Sequence, residues 1–380
     1  MLRTIIVLAA IGFIADLCSA SSGSWGPMDV SYLFPLPTSI SAPESIRPST
    51  SGAQGALIPS AFLALMPQLT TSLSKNEALD RLRVVGVRID PCFGGEDPVL
   101  PGRCRAQVRV VWQPLEQITL SDGCVQVRAI DAALHSFYSL SQEQFAQFAE
   151  ALASLNRRTG MNVSALPLSV NPTLAREGLD GNYGRELKKI LLEVAGEKTL
   201  WRLTFMTVGQ GGLQWVFGGY EIFMGKATPI AVARVGSATQ VFVNSALPAT
   251  DFFGGVGPAP SGQDALNRLI SDSRKAGVSE PVRLRAAHSA VVSIENPKVL
   301  ATDNVDCVSC HVASPARIWI ESKLPELRSG VEHLHAPGGT NVMRAFGYFE
   351  DRPVISKRAL QESAAVAELM NAKYAVSSHD

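Results

Sequence analysis

The chain has 380 residues, 46% hydrophobic and 18% charged, and its 34 Lys and Arg balance 34 Asp and Glu. This composition describes a folded globular protein with room for two domains and excludes an intrinsically disordered chain. With no net charge and no basic run interleaved with aromatics, no nucleic-acid partner is expected.

The N-terminus has the order of an export signal. Arg3 precedes the apolar run 5–15, and Cys18-Ser19-Ala20 offers small residues for cleavage after Ala20. The run is too short, and Asp16 too close, for a membrane span, and no later segment is long and apolar enough for one. A signal peptide over 1–20 predicts a periplasmic or cell-surface bacterial protein, soluble or peripherally associated with a membrane. Lipid attachment at Cys18 is the rival, and the bulky Leu17 before it fits that signal poorly. Residues 21–55, rich in Ser, Pro and Gly, read as an extended arm, with Tyr32-Leu33-Phe34-Pro35 as a patch able to dock on the body.

An α+β domain is expected over 56–255. Val85, Val87 and Ile89 alternate with Arg88 and Asp90, Ala106, Val108 and Val110 with Gln107 and Arg109, and Val125 and Val127 with Gln126 and Arg128. Period-two runs joined by turns predict an antiparallel meander. Cys92 and Cys104 flank a Gly- and Pro-rich loop, and in an exported chain a disulfide closing it is worth roughly 3 kcal/mol. Cys124 is then left free. The alternative is that all three are buried thiols. Ser141 and Gln144 form a capping box before a helix whose stripe is Phe145, Phe148, Leu152 and Leu155. A second helix follows over 184–195. Strands are expected at 199–207, 213–224, 229–235 and 239–244. Strands, helices, then strands indicate α+β with a mostly antiparallel sheet and packed helices.

The glycine- and proline-rich stretch 254–260 marks a boundary, with a smaller, mainly helical region over 256–380. Ser261 and Asp264 open a helix, and alternation over 287–294 predicts a strand. Asp306 caps a turn, Ser314-Pro315 starts another helix and 356–373 forms the last. Within this region stands Cys307-Val308-Ser309-Cys310-His311. Cysteines at i and i+3 share one face of a helical turn, and the adjacent imidazole can swing beneath them.

At these five positions the chain resembles the c-type cytochromes. The resemblance implies one covalent haem c, with thioethers at Cys307 and Cys310 and His311 as proximal iron ligand. It also implies electron transfer with a redox partner protein and no catalytic residues. One motif means one haem. The motif lies some three hundred residues into the chain, unlike the small soluble cytochromes, so the fold around it is expected to differ.

Distal-ligand candidates are His335 or Met343, with His333, His288 and Met370 also within reach. In an extended segment His333 and His335 point to opposite faces, so at most one reaches the iron. Arg317, Lys323 and Arg344 are candidates to pair with the propionates. His135, in an apolar-aromatic run, reads as a core histidine. Alternatives are an extracytoplasmic binding or sensor module, and a Cys2His2 zinc site of Cys307, Cys310, His333 and His335. A thioredoxin-type pair is disfavoured by Pro315, which stands where a long helix should run. No Gly-x-Ser-x-Gly elbow, His-Glu-x-x-His or phosphate loop is present.

Overall fold

The structure is a computed structural model that describes residues 24–94, 104–158, 163–209, 212, 214–243, 256–257, 281–339 and 342–374. The expected signal peptide with Cys18, and the helix expected from Ser261, lie outside the described residues.

The N-terminal part carries α1 (Pro27–Val30), β1 (Ser31–Leu33), β2 (Ser51–Gly52), β3 (Gly55–Ala56), α2 (Ser60–Leu63) and α3 (Lys75–Asp80). The long strands β4 (Leu82–Phe93) and β5 (Arg105–Thr119) follow, then β6 (Val125–Ala129) and β7 (Ala133–Leu140). Helices α4 (Gln142–Arg158), α5 (Pro172–Glu177) and α6 (Asn182–Val194) precede β8 (Leu200–Val208), β9 (Gln214–Phe223), β10 (Lys226–Pro229), β11 (Thr239–Val243) and β12 (Val256–Gly257). The C-terminal part comprises α7 (Pro281–Glu295), α8 (Cys307–Lys323), β13 (Phe346–Phe349), β14 (Arg352–Ile355) and α9 (Lys357–Lys373).

The fold is α+β. Its main sheet runs β1-β4-β5-β7-β8-β9-β11-β12, with β6 on the far end of β5 and β10 on β9. The pairings between these strands are antiparallel. The expected meander is there as β4, β5 and β6, but β7 also pairs along β5. β7 escapes a period-two reading because it is covered on both sides, so apolar residues fall on both faces. A bulge between Val84 and Gly86 turns Val85 away from Val87 and Ile89, into a smaller cluster with Met28, Val111 and Phe346. The strand expected at 229–235 is instead β10, which ends at Pro229, a residue with no N–H for the ladder.

Register gives the sheet two unlike faces. Val87, Val110, Ser136 and Leu203 lie directly opposite one another on one face. On the other, Arg88, Arg109, Phe137, Arg202 and Glu221 form a row across five strands. The apolar face carries α4, which packs on β5 and β7 and buries Phe145, Phe148, Leu152 and Leu155. Its capping box is formed: Gln144 N–H donates to Ser141 Oγ at 3.1 Å and Ser141 N–H to Gln144 Oε1 at 2.9 Å. On the arginine face, α8 packs against β9 and β11, and α9 against β4.

The segment expected as an extended arm contributes Trp25, Val30, Tyr32 and Phe34 to the main core. Its apolar residues are few, but nearly every one is buried. That core runs on to Met343 and Met370, so residues on both sides of position 256 share it. Two C-terminal expectations are corrected. The segment 287–294 is helix, not strand: Leu284, Ala287, Val291 and Ile294 are the buried positions, at spacings of three and four. Pro315 does not start a new helix but lies inside α8. Removing one N–H normally breaks a helix interior, and here neighbouring contacts hold both sides of the proline. Ser314 Oγ donates to Glu295 at 2.6 Å and accepts from Lys357 N–H at 2.9 Å, while buried Arg317 Nε donates to Glu295 at 2.8 Å.

Candidate cofactor site

The first turn of α8 is fixed before its side chains reach anything. Asp306 caps it, accepting from Ser309 N–H at 2.9 Å. Gln240 on β11 donates from Nε2 to the same carboxylate at 2.8 Å and accepts Val308 N–H at 3.0 Å. Asp306 and Gln240 are both buried, so one amide ties the start of the helix to the sheet.

Held this way, Cys307, Cys310 and His311 line one cavity of about 550 Å³, within the range of ordinary cofactor pockets. The arginine face of the sheet contributes Arg88, Arg109, His135, Arg202, Met206 and Phe217 to its wall. Residues before α8 add Asp303, and α9 adds Arg358 and Glu362. The His311 ring packs on Phe217 with centroids 5.0 Å apart. Its Nδ1 lies 2.6 Å from the Met343 carbonyl, which can only accept, so Nδ1 carries the proton. Nε2 keeps the lone pair that a metal takes, with the ring oriented by a backbone acceptor as axial histidines commonly are. Burial lowers the His311 pKa to about 4, so the ring is neutral at pH 7. Burial also raises the thiols, Cys307 to about 12 and Cys310 to about 11. Both are protonated thiols, not thiolates poised for disulfide exchange.

Charge around the cavity is unevenly matched. Glu362 pairs with Arg88 at 3.0 Å and with Arg358 at 2.6 Å, while Arg202 pairs with Glu221 at 2.8 Å and Asp303 at 3.1 Å. Arg109 makes no direct ion pair among the described residues, and Glu362 and Asp90 act on it at longer range. Its guanidinium lies over Phe137 at 5.0 Å and Phe93 at 5.6 Å. Burial, then Arg88, lowers its pKa to about 10, so it stays charged at pH 7. The Nε atoms of Arg109 and Arg202 are buried without a hydrogen-bond partner. Two cysteine sulfurs, a neutral imidazole and a guanidinium outside any direct ion pair fit a metal macrocycle bearing carboxylates.

The residues expected to complete the site lie elsewhere. Met343 is buried in the core and meets His311 through its carbonyl, on the Nδ1 side. His333 bonds the Ile355 carbonyl through Nε2 and Glu332 through Nδ1, and the His335 carbonyl accepts Ile355 N–H at 2.7 Å. His288 faces Glu321 at 3.1 Å, and Met370 is core. None of these lines the cavity. Arg317 is buried among Glu295, Glu321 and Glu332, Lys323 lies over Trp319, and Arg344 pairs with Asp131 at 2.9 Å. Among the described residues no group of three or more His, Cys, Asp or Glu is placed to hold a metal ion, so the Cys2His2 zinc set is not assembled.

Sequence reasoning missed His135, Met206 and the cavity arginines. Arg88, Arg109 and Arg202 sit in strands where alternation places polar residues toward solvent, and only register shows that they face a cavity instead. Cys92 and Cys104 are joined by a disulfide, and Cys124 is free and exposed. No helix among the described residues is long and apolar enough to cross a membrane.

No family description matches this sequence, and no curated protein or solved structure matches it either.

Proposed function

We propose that this is an exported c-type haem protein that binds one haem covalently in the cavity and works in electron transfer. The observation that carries the reading is the convergence of Cys307, Cys310 and His311 on one cavity, with His311 Nδ1 held by the Met343 carbonyl. Cys307 and Cys310 would form the thioethers, and His311 Nε2 would be the proximal ligand. Arg109 and Arg202 would face the propionates. When bound, the group supplies a one-electron redox couple. The chain's own residues then orient it and set the field around it: the Met343 carbonyl fixes the imidazole, the tilted Phe217 ring packs on it, and the arginines add positive charge. A carrier needs no general acid, base or nucleophile, in keeping with wall carboxylates that are engaged in ion pairs with arginines.

Maturation outside the cytoplasm suits the signal read at 1–20, and the Cys92–Cys104 disulfide belongs to an oxidising compartment. A periplasmic or cell-surface site and a redox partner protein follow as part of the same reading.

The test is the visible spectrum of protein matured in a host with haem-attachment machinery, reduced, with and without carbon monoxide. Narrow low-spin bands that carbon monoxide leaves unchanged support the carrier. Bands that shift on adding it would move the assignment to a sensor or an enzyme.

A further inference from the structure

Resting on the haem reading above, we infer that His135, on the central strand β7, is the distal iron ligand, making the site six-coordinate with two histidines. The first ground is the cavity itself. Its lining carboxylates Glu221, Asp303 and Glu362 are taken up in ion pairs with arginines. Of its lining residues other than the Cys-x-x-Cys-His motif, His135 and Met206 carry the imidazole and thioether that serve as haem axial ligands. They belong to one sheet face, with His135 opposite Thr204 and Met206 opposite Ala133. None of the candidates from residues 288–370 reaches this space.

His135 is favoured over Met206 on two counts. Met206 is only 3% exposed and packs within the main core, whereas His135 is part-exposed to the cavity. Its ring nitrogens have no hydrogen-bond partner among the described residues, although Trp112 Nε1 donates to the adjacent Ser136 hydroxyl at 2.8 Å on the other face. The ring nitrogens are not among the buried orphaned atoms, so they open onto the cavity, where a ligand can take them up.

Both histidines meet the cavity from rigid elements. His311, on α8, packs on Phe217 of β9 with its ring tilted, and His135 stands on β7 opposite Thr204 of β8, whose partner on β9 is Gly219. β7 is hydrogen-bonded to β5 and β8 along its length, so the position of His135 is set by the sheet and not by a loop.

The experiment uses holoprotein matured in a host with haem-attachment machinery and compares wild type with His135→Ala, His135→Met, Met206→Leu and His335→Ala. Covalent haem is scored first, by intact mass under denaturing conditions, and the iron by visible and electron paramagnetic resonance spectra. The expected result is a low-spin wild type that ignores carbon monoxide, unchanged in Met206→Leu and His335→Ala. In His135→Ala the iron turns high-spin and binds carbon monoxide. His135→Met keeps a low-spin iron with a raised midpoint potential, which a folding defect would not produce. Covalent haem with an unchanged spectrum in His135→Ala overturns this inference alone. So does a change confined to Met206→Leu, or a wild type that binds carbon monoxide. Wild type without covalent haem overturns the haem reading, and this inference with it.

Discussion

At the scale of single residues, the cavity is held together by ionic pairs that its burial makes consequential. Burial alone would raise the Glu362 pKa, but Arg88, Arg358 and Arg109 outweigh it and hold the carboxyl down to about 2. Because the folded state keeps Glu362 ionised while the unfolded chain takes up a proton near pH 4.3, this pairing stabilises the fold above that pH and is lost between about pH 4 and 2. Glu362→Gln is expected to destabilise the protein by about 3–5 kcal/mol at pH 7, since two buried guanidiniums lose their partner. Denaturant unfolding at pH 7 and pH 3 checks this, and the difference between variant and wild type should narrow at the lower pH. Arg109 is the weaker case. It makes no direct ion pair among the described residues and feels Glu362 and Asp90 at longer range, so Arg109→Leu is expected to cost the haem-free chain less stability than Glu362→Gln while lowering the yield of holoprotein. Both are measurable on the same preparation. How much of this was legible depends on locality. Cys307, Cys310 and His311 are neighbours in sequence and declare themselves. His135 and Arg109 lie on separate strands and look like an ordinary core histidine and a surface charge, until Val111 and Arg109 are seen registered against His135 and Phe137.

At the scale of elements, α8 is positioned through its first turn. Asp306 was readable as a cap, because a short acidic side chain before a helical run is a local signal. Gln240, sixty-six residues earlier, was not, because its role exists only once β11 lies against that turn. Asp306→Ala removes the cap and leaves the buried Gln240 amide without an acceptor. A loss of about 1–3 kcal/mol is expected by thermal or denaturant unfolding. The misreadings at this scale also have physical causes. The segment 287–294 within α7 reads as a strand because several of its apolar residues alternate locally, whereas the buried positions of the helix follow a helical period. Pro315 suggested a helix start, but contacts from Glu295 and Lys357 carry α8 through it.

At the scale of the whole molecule, one sheet does two jobs. Its apolar face builds a core with α4 and α6, and its arginine face, roofed by α8 and α9, encloses the cavity. The α+β class and the meander were legible because alternation is a local pattern. The shared core was not, since nothing near positions 254–260 reveals that Met343 and Met370 belong to the same buried core as Trp25 and Tyr32. Along the edge of this assembly, the Cys92–Cys104 disulfide ties β4 to the start of β5 across 12 residues of sequence. Replacing both cysteines by serine is expected to cost about 3 kcal/mol, read as a lower denaturation midpoint. The central claim, that two thiols and an imidazole at the start of α8 hold a haem, is tested most directly by intact mass. Protein matured with haem-attachment machinery and measured fully denatured is predicted to weigh the processed polypeptide plus one haem, and the Cys307→Ser/Cys310→Ser variant the polypeptide alone. A wild-type mass equal to bare polypeptide would contradict the account.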